Sequence, residues 1–118
     1  LSATEGAITP EAYAEYLRCF TPDMIRASCL DYRAIDLDLV HDQADCERRL
    51  TCPMLVLWGG NMDKRPGWQT GRRLEMMTVW REHAVEVEGH SLLCGHFLPE
   101  ELPKETAKAI LTFLANHS

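Results

Sequence analysis

The segment 52–60 constrains the fold of this chain more than any other part of its sequence. It reads CPMLVLWGG, so a proline leads into a continuous apolar run that ends at two glycines. An unbroken apolar run of this length is typical of a strand in a parallel sheet, because both faces of such a strand are covered. We therefore predict a buried parallel strand here and an α/β fold around it.

The segments that follow alternate in the manner of an α/β unit. A helical pattern covers residues 72–83, and alternating apolar and acidic residues at 84–88 predict a second strand. A loop is expected at 89–97, and a last helix from about Pro103 to Asn116. The order strand, helix, strand, loop, helix predicts two parallel strands. Two strands alone leave open edges, so the sheet requires further strands from a longer chain or from a second copy.

The first half of the chain has a helical texture. Thr9-Pro10 and Thr21-Pro22 are helix-start signals, each with a hydroxyl cap followed by a proline in the first turn. They predict helices that end near Phe20 and Ile35, followed by an acidic helical or irregular segment at 36–49. We therefore divide the chain into a helical part, 1–50, and an α/β part, 51–118. The first helix is predicted to place Tyr13, Tyr16, Leu17 and Phe20 on one face, and the second to carry Met24, Ile25, Cys29 and Tyr32. Leu37, Val40 and Ala44 are expected to point inward, and Cys19 and Cys29 to be small core residues.

Charge and cysteine content exclude several classes of protein. The net charge of −6 argues against a nucleic-acid-binding protein, and the longest apolar run is too short to cross a membrane. The five cysteines contain no CxxC pair, so we expect neither a disulfide framework nor a zinc site. A reducing cytoplasm is the expected location. The histidines show no metal-ligand spacing, and no cofactor is expected.

His96 is the principal candidate for catalysis. It lies in the segment CGHFLPE, 94–100, after a glycine and between the second strand and the last helix. The general base of an α/β-hydrolase occupies this place in the chain, although a lone histidine in a glycine loop is more often a surface or structural residue. A dyad of Cys94 with His96 would require the loop to curl tightly, and we do not expect one.

Four segments of the chain resemble the C-terminal portion of the haloacetate (fluoroacetate) dehalogenases. These enzymes are α/β-hydrolases related to epoxide hydrolases and haloalkane dehalogenases, and the resemblance extends from about Thr9 to His117. The segments are AEYLRCF at 14–20, CLDYRA at 29–34, CPMLVLWG at 52–59 and CGHFLPEE at 94–101. The second and fourth of these are fairly specific to this group, whereas the third occurs throughout α/β-hydrolases.

The resemblance implies a two-step hydrolysis. In this family an aspartate displaces the halide, and a histidine then activates the water that cleaves the aspartyl ester. His96 matches that histidine, and Tyr32 matches a tyrosine that holds the departing halide. The resemblance also implies a partial α/β-hydrolase fold, in which residues 1–50 are the end of the helical cap and residues 51–118 are the C-terminal part of the core. The nucleophile and the acid that orients the histidine lie upstream of Leu1 in the family. Asp63 is a further candidate for this acid, although it is displaced by one residue from the common spacing after the strand.

Two functions from different classes follow. The first is the C-terminal portion of a hydrolase that cleaves carbon–halogen bonds in haloacids through an aspartyl ester. Such a chain would lack the nucleophile and be inactive alone, and its partner would be the missing N-terminal part. The alternative is a non-catalytic, truncated remnant that covers its open sheet by forming a homodimer.

Overall fold

A computed structural model of the chain describes Ser2, residues 4–61 and residues 75–117. The chain forms two compact units. The helical unit is Ile8–Arg48, and the α/β unit combines Leu1–Ala7 with Arg49–Ser118.

The helical unit contains three helices: α1 (Pro10–Cys19), α2 (Pro22–Arg33) and α3 (Ile35–Asp45). The hydroxyl of Thr9 accepts a hydrogen bond from the backbone N–H of Ala12 at 3.2 Å. Thr21 caps α2 in the same way, accepting from the N–H of Met24 at 3.2 Å. These hydroxyls satisfy N–H groups that have no partner within a helix. Both predicted helix starts are therefore confirmed.

The apolar residues predicted on these three helices are exposed, so the expectations that Leu37, Val40 and Ala44 point inward and that Cys19 and Cys29 are core residues are wrong. None of the three helices contains a buried residue. Leu17 is 59% exposed and Tyr32 is 76% exposed. These apolar residues lie at helical spacing, but none of them is buried in the part of the chain that the structure describes.

Among its described residues, the α/β unit contains two strands and three helices. In chain order these are β1 (Met54–Gly59), α4 (Met76–His83), β2 (Val87–Leu92), α5 (Leu98–Glu101) and α6 (Pro103–Asn116). The strands are parallel, and their register runs from Met54 opposite Val87 to Gly59 opposite Leu92. The predicted parallel pair and the bounds of the last helix are confirmed.

The position of β2 corrects the sequence interpretation. We predicted a strand at 84–88 and a loop from Gly89, but the strand is Val87–Leu92 and Gly89 lies inside it. Gly89 pairs with Val56, and a Cβ at this position would lie 2.2 Å from the carbonyl oxygen of Val56. This glycine permits a close approach of two backbones and does not end the strand.

The core of the α/β unit is small. Among the residues that the structure describes, Val56, Ala84, Leu92 and Cys94 are its buried apolar members. The guanidinium of Arg49 donates to the carbonyl of Arg81 at 2.7 Å and also to that of Ala84.

Over the described part of the chain, every helix falls short of the length and apolar character needed to cross a membrane.

Candidate active site at the histidine loop

His96 lies on the connection between β2 and α5, residues 93–97, which we call the histidine loop. The loop follows the carboxyl end of β2 and lies beside the carboxyl end of β1. Open α/β sheets bind ligands at this edge, because the loops that leave neighbouring strands converge there. His96 is exposed, and its ring meets that of Phe97 edge-on, with centroids 5.4 Å apart. The imidazole is thus accessible to a reactant.

The end of β1 supports the histidine loop from one side. The N–H of Gly60 donates to the carbonyl of Leu92 at 2.7 Å, and the N–H of Asn61 donates to that of Cys94 at 3.0 Å. Pairing between the two chain segments therefore continues beyond both strands. A Cβ on Gly59 would lie 1.8 Å from the carbonyl oxygen of Gly95. Only glycine at position 59 allows the histidine loop to approach this closely.

The buried carboxylate of Glu101 supports the loop from the other side. One oxygen, Oε2, accepts a hydrogen bond from the N–H of Gly95 at 2.9 Å. The other, Oε1, accepts from the N–H of Phe97 at 3.2 Å. The hydroxyl of Thr4 also donates to Oε2, at 3.0 Å. The carboxylate therefore binds the backbone on both sides of His96.

Cys94 is a core residue of the loop. Its side chain is fully buried. Burial raises the pKa of the Cys94 thiol, and the nearby charge of Glu101 raises it further. A thiol in this environment stays protonated, which makes it a poor nucleophile. The environment of Cys94 therefore argues against a cysteine–histidine dyad.

The other predicted site residues are Tyr32 and Asp63, and of these two the structure describes Tyr32. Tyr32 lies on α2 in the helical unit, and most of its side chain is exposed. Asp63 lies outside the described residues, so its role as the orienting acid stays a prediction. Within the described ranges, no group of three or more histidine, cysteine, aspartate or glutamate residues could hold a metal ion.

A groove of about 400 Å³ lies between the sheet and α6, and His96 does not line it. Its floor is apolar and includes Leu55, Leu92 and Phe113. Glu105 and Lys108 contribute charge to its lining. The imidazole and this groove are therefore separate features of the α/β unit.

Glu101 is the residue that sequence reasoning missed. The sequence analysis included it in the matched segment 94–101 but assigned it no role. The available signal was its spacing of four residues from Phe97, which occupies the N-cap position of α5. In a capping box a glutamate three residues after the N-cap position reaches back to the N–H of that residue, and Glu101 reaches the same N–H from one residue further along. Glu101 makes this contact and extends it to Gly95.

Comparison with known proteins agrees with this architecture. A fluoroacetate dehalogenase of Burkholderia sp. is 34% identical over 113 residues, which are 91% of this chain and 34% of the relative. A soluble epoxide hydrolase of Corynebacterium sp. (strain C12) is 34% identical over 115 residues, 93% of this chain and 36% of the relative. The crystal structure of a candidate α/β hydrolase from Nostoc sp. PCC 7120 superimposes with a TM-score of 0.85 at 47% identity, covering 96% of this chain and 38% of that one. No family model matches the chain.

The fold is therefore part of an α/β-hydrolase fold. The chain is homologous to the fluoroacetate dehalogenases and epoxide hydrolases of that fold, and it corresponds to their C-terminal portion. It spans about a third of the length of the curated relatives that it matches.

Proposed function

We propose that this chain is the C-terminal portion of a hydrolase in which His96 is the general base. The observation that carries the proposal is the exposed imidazole at the carboxyl ends of two parallel strands, on a loop that is bound from both sides. A base must reach the proton that it removes, and a fixed backbone keeps it within that reach. Homology to two kinds of hydrolase supports the same role.

The proposed substrate is a short haloacid, and the proposed reaction has two steps. A carboxylate from the remainder of the fold attacks the carbon that bears the halogen, so that an ester forms and halide leaves. His96 then takes a proton from water, which attacks the ester carbonyl, releases the hydroxyacid and regenerates the carboxylate. The hydroxyl of Tyr32 would donate a hydrogen bond to the departing halide. The name of the Burkholderia relative supports this substrate class.

The 118-residue chain alone is expected to be inactive. A histidine can activate water, but it does not replace the carboxylate that must displace the halide. Loss of a nucleophile typically costs several orders of magnitude in rate, on the order of 10⁴ to 10⁶. We expect halide release from haloacetate at the buffer rate when the chain is assayed by itself.

A fusion protein tests the proposal. The part of the Nostoc relative that precedes the matched region would be joined to this chain, whose 47% identity to that relative favours correct docking. We expect the fusion to release fluoride or chloride from haloacetates. His96→Ala should stop turnover after the first step, so that intact-mass spectrometry detects a covalent ester. His90→Ala, another exposed histidine of the α/β unit, is the matched control and should turn over normally.

The outcomes of this experiment are distinct. A well-folded fusion without halide release from any haloacetate would refute the haloacid substrate. Hydrolysis of an epoxide by the same fusion, lost in His96→Ala, would retain the base and replace the substrate class. Full turnover in His96→Ala would refute the role of the histidine.

A second candidate function is a non-catalytic module that self-associates through a second copy. The observation that favours it is the exposed apolar side of the helical unit, in which no helix buries a residue. Sedimentation velocity across a range of concentrations tests it. A stable dimer without activity in the fusion would support this candidate, and a folded monomer at all concentrations would exclude it.

For either candidate we propose a reducing, cytoplasmic location. All five cysteines are free, and four of them are exposed. Exposed thiols persist in a compartment in which glutathione and thioredoxin keep them reduced.

A further inference from the structure

The carboxylate of Glu101 has an unusual place in this small domain. Only 7% of the residue is exposed, although a charged group loses much free energy when it leaves water. Buried charges are tolerated where hydrogen bonds replace the lost hydration. The donors here include the N–H groups of Gly95 and Phe97 and the hydroxyl of Thr4.

Two of these donors flank His96 directly. The peptide group that joins Cys94 to Gly95 and the one that joins His96 to Phe97 both donate to this carboxylate, so the backbone on either side of His96 is restricted. The carboxylate belongs to α5, whose N–H groups at Glu100 and Glu101 bond back to the carbonyl of Phe97 at 3.0 and 2.8 Å. The histidine loop and the start of α5 therefore form one hydrogen-bonded unit around His96.

We propose that Glu101 is a positioning residue for His96. It holds the histidine loop in the geometry that aims the imidazole out of the carboxyl edge of the sheet, and Thr4 holds the carboxylate from behind. This inference rests on the proposed role of His96 as a base. A misplacement of a catalytic group by about 1 Å can cost a hundredfold in rate, so fixing this loop has a large potential effect on catalysis.

The chemistry of the carboxylate makes the proposal testable with a nearly isosteric change. An ionised carboxylate accepts hydrogen bonds at both oxygens, whereas the amide of glutamine has one accepting oxygen and one donating NH₂. Whichever way the amide of a Glu101→Gln variant turns, the N–H of either Gly95 or Phe97 faces another donor. The substitution therefore detaches one side of the histidine loop while preserving the volume of the side chain.

Amide hydrogen exchange of the 118-residue chain measures this detachment. In Glu101→Gln we expect exchange within residues 95–97 to accelerate about tenfold or more, because an opened hydrogen bond exposes its N–H to water. The amide of Gly60, which bonds to Leu92 in the sheet, should be unaffected. Glu105→Gln makes the same chemical change at an exposed position and should leave both regions unchanged. Thr4→Val removes a donor that does not belong to the loop and should have an intermediate effect.

Equal acceleration at residues 95–97 and at Gly60 would overturn the proposal, because it would show that Glu101 only stabilises the domain as a whole. No acceleration at either place would overturn it as well. If Glu101→Gln does not fold, a pH titration of the wild-type chain by NMR decides. The amide protons of Gly95 and Phe97 must then shift together with the side-chain carboxyl carbon of Glu101, and independent titration of the three signals would refute the proposal.

Kinetics of the fusion protein separate this inference from the proposed function. Glu101→Gln should lower kcat about tenfold to a hundredfold and leave KM nearly unchanged, since it moves the base and not the substrate contacts. An unchanged kcat in an active fusion would refute the positioning role alone. An inactive wild-type fusion would refute the proposed function, while the exchange experiment would still report whether Glu101 holds the loop.

Discussion

The helical unit and the α/β unit satisfy local rules of folding equally well, but they differ in burial. In the helical unit, threonine hydroxyls cap α1 and α2, yet none of its three helices contains a buried residue. In the α/β unit, Ala84 and Cys94 are fully buried, and even a carboxylate is enclosed. Local signals determine where a helix begins, whereas buried apolar area supplies most of the free energy that holds it in place.

The difference in burial indicates which of the two units needs a further surface to bury its apolar residues. Short helices in water are marginally stable without tertiary packing. Many apolar residues of α1–α3 are exposed, among them Leu17 and Tyr32. The α/β unit, by contrast, has a small core of its own and a hydrogen-bonded loop beside it.

The largest effect that we predict is a difference in amide exchange between the two units. The N–H of Ile25 bonds to Thr21 at 2.9 Å in α2, and that of Gly60 bonds to Leu92 at 2.7 Å beside the sheet. Although the two bonds are similar in length, we expect the Ile25 amide to exchange about a hundredfold faster or more, because its surroundings are exposed. Hydrogen-exchange NMR at low concentration measures this ratio. Equal protection of the Ile25 and Gly60 amides at all concentrations would contradict the proposed difference between the units. Protection of Ile25 that increases with protein concentration would indicate that a second copy of the chain buries the helices.

The next largest effect concerns Gly59, where β1 meets the histidine loop. Gly59→Ala places a methyl group 1.8 Å from the carbonyl oxygen of Gly95, so the backbone must move. We expect a loss of about 1–3 kcal/mol in the free energy of unfolding of the α/β unit, the usual cost of overpacking. Chemical denaturation measures it. Gly60→Ala is the matched control, because its nearest contact is 3.2 Å away, on the Ser91 side chain, and it should cost less. An equal cost at both positions would contradict the steric explanation.

A smaller effect is an alkaline loss of stability from Cys94. Burial, and then the charge of Glu101, raises the pKa of its thiol in the folded chain. Above the ordinary thiol pKa the unfolded chain releases this proton while the folded chain keeps it. Stability is therefore full below the ordinary thiol pKa and declines as pH rises towards the folded pKa. The slope for one proton is at most about 1.4 kcal/mol per pH unit.

Denaturant titrations between neutral and alkaline pH measure this slope. Cys94→Ala should reduce it, whereas Cys52→Ala, at an exposed cysteine, should not. An identical slope in Cys94→Ala would assign the alkaline loss to another group and would weaken the contrast between a buried and an exposed region.

The smallest effect is expected at the cap of α2. Thr21→Ala removes the acceptor for the N–H of Met24 and should cost about 1 kcal/mol of local helix stability. Because α2 contains no buried residue, this loss should appear as a decrease in helical circular dichroism and leave the unfolding of the α/β unit unchanged. Thr21→Ser keeps the hydroxyl and should behave as wild type. A shift in the unfolding of the α/β unit would show that the two units are coupled more strongly than their burial suggests.

Several elements could be predicted from the sequence because their signals are local. The threonine–proline pairs placed the starts of α1 and α2, and the apolar run before Gly59 placed β1. The last helix was predicted with its observed bounds, Pro103–Asn116. The place of His96 after the second strand followed from the chain order of an α/β unit. Each of these predictions depends on neighbours along the chain.

The errors arose where a distant contact decides. Gly89 resembled the end of a strand, but its closeness to the Val56 backbone makes it a position inside one. Glu101 was assigned no role from the sequence, but it accepts hydrogen bonds from two backbone N–H groups of the histidine loop. Composition and periodicity contain no information about which backbone approaches a glycine or which donors surround a carboxylate.

The sequence by itself determined the order of the elements, the starts of the first two helices and the residue that serves as the candidate base. Only the tertiary structure decided how that base is held and which apolar faces stay uncovered. The physical reason is that caps and periodicity act within a few residues, whereas burial and close backbone approach depend on segments that are far apart in the chain.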